Sequence, residues 1–335
     1  VQVSKKSGSL RGAPGALDHV VFYWAGLVPE ISELAIASAI VQFPKSTIHL
    51  FLETDDGFES SLPESHKRLV SHPRVVVHSF SLDEVLNQHG FPSYRKSRNP
   101  LERLCHLVFT IFRDRLSKTR LVKRTAPRLH ALRRVIGHYH PLFGWFRVGF
   151  LRHSLVWGGR AYRSDVFRVI VEREFPGQSV LYSDLDVYFV APEQDWDFRA
   201  SFSYRGGATW ANAAILYMAK DRPQITRLFL EGLQAGLPAL PWHFFTDQRC
   251  SDAGITVHPC DRFDPGWSQN SVSWGDSTLF FAENLESQEF LQEIRHNNLA
   301  VHWHNQWSSE PGPGSPFQQL LIQTRSAIND SRFRF

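Results

Sequence analysis

The sequence predicts an α/β fold, a Rossmann-like sheet of the doubly wound, nucleotide-binding kind, and three observations carry that prediction. Apolar strand-like runs alternate with helix-periodic stretches at short spacing from residue 18 to residue 90. A chain of 335 residues with ordinary hydrophobic content is long enough to bury one large core. A second apolar run, from Val180 to Val190, carries Asp184 and Asp186 at its centre. Ionised carboxylates away from water cost several kcal/mol unless a cation or donors compensate, so this pair marks either a cation site or a strand that ends in a turn.

Taken in order, residues 1–17 are small and polar and are expected to be flexible. Asp18 to Trp24 reads as a first strand, ending at Ala25-Gly26. Pro29 to Phe43 has helical spacing, with Pro29 suited to a first turn. Thr47 to Glu53 is a second strand, Pro63 to Val70 a short helix and Arg74 to Phe80 a third strand. A helix follows that Ser81 can cap and Gly90 can end. This β-α-β-α-β order is the nucleotide-type signature, but no Gly-x-Gly-x-x-Gly and no P-loop accompanies it, which disfavours a dinucleotide or Walker-type ATP site.

The alternation breaks in a basic, mainly helical insertion over 91–147. Between Phe91 and His140, Arg95, Lys96, Arg98, Arg103, Arg113, Arg115, Lys118, Arg120, Lys123, Arg124, Arg128, Arg133 and Arg134 face only Glu102 and Asp114. With a net charge of +4 for the whole chain, the remainder is acidic, so the basicity belongs to this segment. A solvated helical face, an anionic membrane surface reached through 91–140 and an acidic polymer are its candidate roles; no recognised module supports nucleic-acid binding. No run approaches a membrane span, and no signal-peptide pattern stands at Val1, which leaves room for a preceding anchor. Cys105, Cys250 and Cys260 lack Cys-x-x-Cys spacing, so a zinc knuckle is not expected. Compartment stays open.

Regular structure resumes with a helix from about Ala161 to Glu174, on which Asp165 and Arg168 share a face, followed directly by the Asp184/Asp186 strand. Ser201 to Tyr204 and Ala208 to Met218 read as strands, the latter holding Asn212. Pro223 to Ala235 is helical, Phe244 to Gln248 begins or ends another helix, and Ile255 to His258 is a short strand before a loop rich in Asp, Pro, Gly and Trp. Leu285 to Ile294 is a helix, Leu299 to Trp307 a last strand, and 311–335 a tail with a helix of its own.

The segment Tyr162-Arg-Ser-Asp165-Val-Phe-Arg168 followed by Leu181-Tyr-Ser-Asp184-Leu-Asp186 resembles the sugar-binding region of the glycosyltransferases that carry a DXD motif. That group includes α-1,4-galactosyl- and initiating mannosyltransferases and is similar to the glucosylating domain of clostridial toxins. Val20-Val-Phe-Tyr-Trp24-Ala-Gly26 looks like the family's opening strand, and Val301-His302-Trp-His304-Asn-Gln-Trp307 like its closing His segment. The resemblance implies a GT-A type domain over 18–310. One departure is that Phe175-Pro-Gly177-Gln stands where the family places Gly-Gly before the DXD strand, with Gly158-Gly159 upstream of the helix instead.

The same resemblance implies roles residue by residue. Asp186 and Asp184 hold Mn²⁺ (or Mg²⁺), Asp184 being shared with the ribose, and His302 or His304 adds a ligand; either imidazole alone could equally be structural. Trp24 stacks on the base of a nucleotide-sugar donor, a UDP-sugar foremost, or serves as a core aromatic. Asp165 and Arg168 bind donor hydroxyls and phosphate, against the plainer reading of an exposed ion pair. Trp307 and Ser308 close over the pyrophosphate, while Asn212 and Asp247 contact donor sugar or acceptor. The acceptor is a glycan, glycolipid or protein. No residue stands out as an inverting base, and retention is the expected stereochemistry. Two rivals remain: a non-catalytic carbohydrate- or polyanion-binding protein on a transferase-like fold, and a haloacid-dehalogenase-type phosphatase, whose motif Tyr188 does not fit.

Overall fold

A computed structural model describes residues 17–55, 59–88, 159–220, 225–234, 244–265, 277–304, 307 and 309–332. Expectations for residues 1–16, for the basic insertion over 91–147 and for Ser308 lie outside these. The α/β, Rossmann-like architecture expected from the sequence is what the described residues form. A seven-stranded, mostly parallel sheet runs in the order β3-β2-β1-β4-β7-β6-β8, with β1 at His19–Trp24, β2 at Thr47–Glu53, β3 at Val75–Phe80, β4 at Val180–Ser183, β6 at Phe202–Arg205, β7 at Ala211–Met218 and β8 at Thr256–His258. Only β7 runs against its neighbours, pairing antiparallel with β4 and β6.

The first half of the sheet is built by helices that the apolar spacing dictates. α1 (Glu33–Gln42) returns the chain from β1 to β2, α2 (Glu64–Val70) from β2 to β3, and α3 (Leu82–Gln88) follows β3 with Ser81 Oγ accepting from Glu84 N at its start. β1 and β2 are buried on both faces, as near-continuous apolar runs in a covered parallel sheet must be, whereas the edge strand β3 leaves Val76 and Val77 exposed. Along β1, Val20 and Phe22 enter one core while Val21 and Tyr23 enter the other, the two-residue period of a strand. α4 (Gly159–Ile170) covers the second face, where Phe167 stacks on Tyr23 with ring centroids 4.4 Å apart. α5 (Ile225–Gln234) lies beside it, and α6 (Asp247–Asp252) leads into β8. α7 (Leu285–Asn297) precedes the last strand, and α8 (Pro316–Arg332) buries Phe317, Leu320 and Leu321 in the first core and packs on α1, where Arg325 grips Glu33 at 2.5–2.8 Å.

Two sequence expectations are corrected. The run from Val180 to Val190 is not one strand: β4 ends at Ser183, Asp184 to Asp186 turn, and β5 (Val187–Phe189) pairs antiparallel with β9 (Ala300–His302) in a separate two-stranded sheet. The apolar pattern is continuous because both short strands are buried, and burial rather than sheet membership is what the residues record. The last strand likewise stops at His302. His304 takes a left-handed backbone, φ 51°, and is the single non-glycine residue with positive φ among those described. Cys250 and Cys260 are buried and not joined in a disulfide.

Candidate functional site

Strand order reverses between β1 and β4, which are parallel neighbours from which the chain builds outward in opposite directions. Ligands of open α/β sheets bind beyond the carboxyl ends of the strands at such a switch point. Trp24 ends β1 there and Asp184 follows β4, so the topology alone brings these two expected site residues to one rim. Trp24 is half-buried; its Nε1 donates to Leu27 O at 2.9 Å, and its ring meets Trp307 edge-on with centroids 5.0 Å apart. Residues far apart in the chain thus meet at that rim.

The two motif carboxylates have different surroundings. Asp184 collects donors: Arg168 Nη2 at 3.0 and 3.2 Å from its two oxygens, Tyr182 Oη at 2.6 Å and Ser164 Oγ at 3.4 Å. Asp186, almost fully buried, faces the imidazole of His302, with Oδ2 3.3 Å from Nε2. Asp165 lies 3.1 Å from Arg168 Nη2, one turn along α4. With Arg168 buried and Asp165 only partly exposed, this is not the exposed pair that charge spacing alone suggests, and Arg168 bridges Asp165 and Asp184. Burial lifts the Asp165 carboxyl to about 7 despite the adjacent guanidinium. Burial also raises Asp184, opposed first by Arg168, while burial lowers Arg168 but Asp184, Tyr182, Asp165 and Asp186 together outweigh it and hold the guanidinium above its ordinary range.

A further carboxylate, which sequence reasoning missed, closes the far side. Asp264 follows a short 3₁₀ turn at Cys260–Arg262, and its side chain is fully buried. Its Oδ2 lies 2.8 Å from His304 Nε2 and 3.7 Å from His302 Nδ1. The buried Tyr204 phenol of β6 meets His302 Nδ1 at 2.9 Å. Burial opposes charge on His302, but Asp186 and then Asp264 outweigh it and lift the imidazole to about 10. His304 is lowered by its own burial and by His302. Nothing in the local sequence sets Asp264 apart from its Asp-rich loop; only the packing of that loop on β9, through Leu299 N donating to Arg262 O at 2.7 Å, brings it in.

Two overlapping groups could hold a metal ion: Asp184, Asp186 and His302, and Asp264, His302 and His304, each with ligand atoms within 4.8 Å of one another. Carboxylates and imidazoles are the donors that hard and borderline divalent ions take. Ligand atoms sharing one such ion at about 2.1 Å stand roughly 3 Å apart, which the spacings in the cluster bracket. The residues present fit a divalent cation. Of the weaker candidates, Asn212 Oδ1 accepts from Ala214 N at 2.9 Å, and Asp247 is paired with Arg205 at the start of α6.

Another buried charged group fixes α4. Arg163 donates to Glu53 at 2.8 and 3.0 Å and reaches Asp83 at 3.2 Å and Asp55, while Tyr23 Oη donates to Glu53 at 2.5 Å. The ends of β1 and β2 and the start of α3 are thereby tied to the helix that carries Asp165 and Arg168.

Fold and site together describe an α/β protein with a nucleotide-type half-sheet and an acid–imidazole cluster at its switch point. Among solved structures it is similar to WbbM, a bifunctional glycosyltransferase in its apo form, at 11% identity and TM-score 0.42 over 95% of this chain; it spans about half, 51%, of the WbbM chain. It is also similar to the PaToxG glycosyltransferase, at 13% identity and TM-score 0.36, over 93% of this chain and 89% of that one. No family model and no curated protein matches the sequence.

Proposed function

We propose that the chain is a metal-dependent glycosyltransferase that moves a sugar from a nucleotide-sugar donor, a UDP-sugar foremost, to a glycan, lipid or protein acceptor with retention of configuration. The observation that carries this reading is the convergence of Asp184, Asp186 and His302 with the Asp165–Arg168 pair at the sheet's switch point. Breaking a sugar–diphosphate bond builds negative charge on the leaving phosphate, so positive charge must be fixed beside it beforehand. A Mn²⁺ or Mg²⁺ ion held by Asp186 and His302, with Asp184 alongside, would supply that charge.

The chain's own residues do the rest. Arg168, fixed between two carboxylates, presents a permanent cation that needs no reorganisation as charge develops. Asp165 and Asp184 offer acceptors for donor hydroxyls, those of the sugar and the ribose. Trp24 supplies a face for the base, and Trp307 against it can narrow the mouth over the diphosphate. Trp24→Ala is expected to raise the donor KM more than it lowers kcat, as for binding that is equal in ground and transition states.

The deciding experiment is a panel of UDP- and GDP-sugars incubated with the chain and Mn²⁺, with release of free sugar and nucleotide measured. Metal-stimulated cleavage of one donor is the expected result. A chain that binds carbohydrate yet cleaves none of the panel would be a binding protein instead.

A further inference from the structure

We infer that the turn joining β6 to β7 is the acceptor subsite, and that the acceptor is a neutral carbohydrate whose sugar ring lies on Trp210 while Arg205 and Asp247 bind its hydroxyls. The inference rests on the glycosyltransferase reading above and narrows its acceptor from glycan, lipid or protein to a sugar.

The topology sets this turn on the rim that holds the donor cluster. β1 and β4 are parallel, and β7 is antiparallel to both β4 and β6, so β6 ends on the same edge of the sheet as Trp24 and Asp184. Adjacent strands are spaced by about 4.8 Å, so β6 stands on the order of 10 Å from β4, across β7. That separation puts the turn beside the donor cluster rather than in it. Two bonds tie them together. Asp184 N donates to Ala214 O of β7 at 2.8 Å, and Tyr204, the residue before Arg205, meets His302 Nδ1 at 2.9 Å.

The turn is built around an indole. Gly206 N and Gly207 N both donate to Trp210 O at 3.2 Å, and Trp210 pairs with Thr246 in an isolated antiparallel bridge. The ring lies directly against the two glycines: a Cβ on Gly206 would stand 2.5 Å from Cζ3, and one on Gly207 would press on Nε1. Only glycine fits beneath it. A ring held this closely is nevertheless partly exposed. Two ordered glycines cost backbone entropy, and an indole left partly in water recovers less of it than a buried one would. A connection that served the fold alone needs turn residues and no tryptophan. The arrangement presents the ring.

Beside the ring stands an ion pair. Arg205 precedes the glycines and is paired with Asp247, whose N donates to Thr209 O at 3.1 Å and holds the start of α6 against the turn. The two side chains are 24% and 49% exposed, so a solute can reach both. Such a pair adds little to stability. It does set guanidinium donors next to carboxylate acceptors, the complement of sugar hydroxyls, each of which donates and accepts. Its charges cancel, which favours a neutral sugar over a polyanion. The C–H face of a pyranose packs on the electron-rich face of an indole and leaves water in doing so. A lipid chain laid there would bury the ion pair without satisfying it.

The test replaces the ten tryptophans of the full chain with 6-fluorotryptophan and follows them by ¹⁹F NMR, the Trp210 and Trp24 signals being assigned by their loss in Trp210→Phe and Trp24→Phe. The probes are methyl and octyl glycosides of glucose, galactose, mannose and N-acetylglucosamine, with lactose, maltose and a heparin tetrasaccharide. Each is added to about 20 mM, which spans the millimolar Kd of a contact made by one ring. Expected is a saturable shift of the Trp210 signal with at least one neutral sugar and none with heparin. A tighter octyl form would mark a glycolipid source and equal affinities a free or protein-borne glycan; both support the subsite. Saturation-transfer NMR on the sugar protons gives the affinities of the variants, with far-UV circular dichroism checking their fold. Trp210→Ala should weaken binding about tenfold, and Gly207→Ala, which keeps the indole but displaces it, should weaken it as well. The subsite is overturned if no neutral sugar moves the Trp210 signal, if heparin alone does, or if folded Trp210→Ala binds as tightly as the wild type. UDP tests the donor reading separately through the Trp24 signal. A chain whose Trp210 responds to sugar while Trp24 ignores UDP keeps the sugar site and loses the donor site, and the reverse result sinks the subsite alone.

Discussion

Asp184 is wrapped by Arg168, Tyr182 and Ser164, whereas Asp186, two positions on, faces an imidazole from the last strand. Their substitutions should therefore fail differently. Asp186→Asn is expected to lower transfer at least 100-fold, in the range seen when a single preorganised charge-stabilising group is lost, and to abolish metal-dependent donor binding while the fold persists. Turnover near the wild-type rate would remove Asp186 from the proposed metal site. Arg168 presents the complementary case, since it is the buried cation between Asp165 and Asp184. Arg168→Met leaves both carboxylates without it, and breaking a buried pair from one side costs about 3–5 kcal/mol. Urea unfolding at pH 7 measures this, and a loss below about 1 kcal/mol would mean that solvent already screens the group.

At the scale of elements, capping decides how firmly α7 is set before β9. Asn284 Oδ1 accepts from Ser287 N and from Ser287 Oγ, both at 2.8 Å. Asn284→Ala should cost about 1 kcal/mol and Asn284→Gly only a few tenths, because glycine keeps the extended cap backbone accessible; equal losses would show that the cap bond is not what matters. The elements of the first half-sheet were legible because each has one local cause. Short apolar runs set β1, β2 and β3, and a capping serine stands before α3. The Asp184–Asp186 segment was legible as chemistry but not as geometry, since an unbroken apolar run does not say that two strands of different sheets share it. Asp264 and Arg163 were not legible at all. Their partners are distant in the chain, 110 residues for Arg163 and Glu53, and no periodicity marks a residue that matters only through a contact of that kind. His302 and His304 were visible as a pair, but the left-handed turn that sets them ring to ring was not.

The whole molecule packs two cores on the two faces of one sheet, and several histidines were buried in the process, with consequences for its acid stability. His66 is fully buried, its ring nitrogens 2.9 Å from Ser32 Oγ and 3.1 Å from Ser65 Oγ, and burial lowers it to about 4 despite the nearby Glu33. His49, between His19 and His78 across three adjacent strands, is lowered to about 3, by burial first and then by those two rings. A histidine whose folded pKa lies below the unfolded value of about 6.5 stabilises the fold fully above that pH. As pH falls from 6.5 toward 4, the unfolded chain takes up protons that the folded chain refuses, and the contribution drains away. Asp165, lifted to about 7 by burial, has the opposite sign, because the folded state binds its proton first and gains stability as pH falls from 7 toward 4. The raw acid limb of the whole chain therefore mixes both signs, and a single substitution isolates one of them. His66→Gln removes the titrating ring while leaving an amide for the two serines. Between pH 7 and 4.5 the wild type should lose about 2 kcal/mol more than this variant, from roughly two pH units at 1.4 kcal/mol each, reduced for the part of the ring's environment that solvent reaches. Urea denaturation of both chains at the two pH values reads the difference. Parallel losses would mean that His66 takes up its proton in the folded state as readily as in the unfolded one, and that its burial does not exclude the charge.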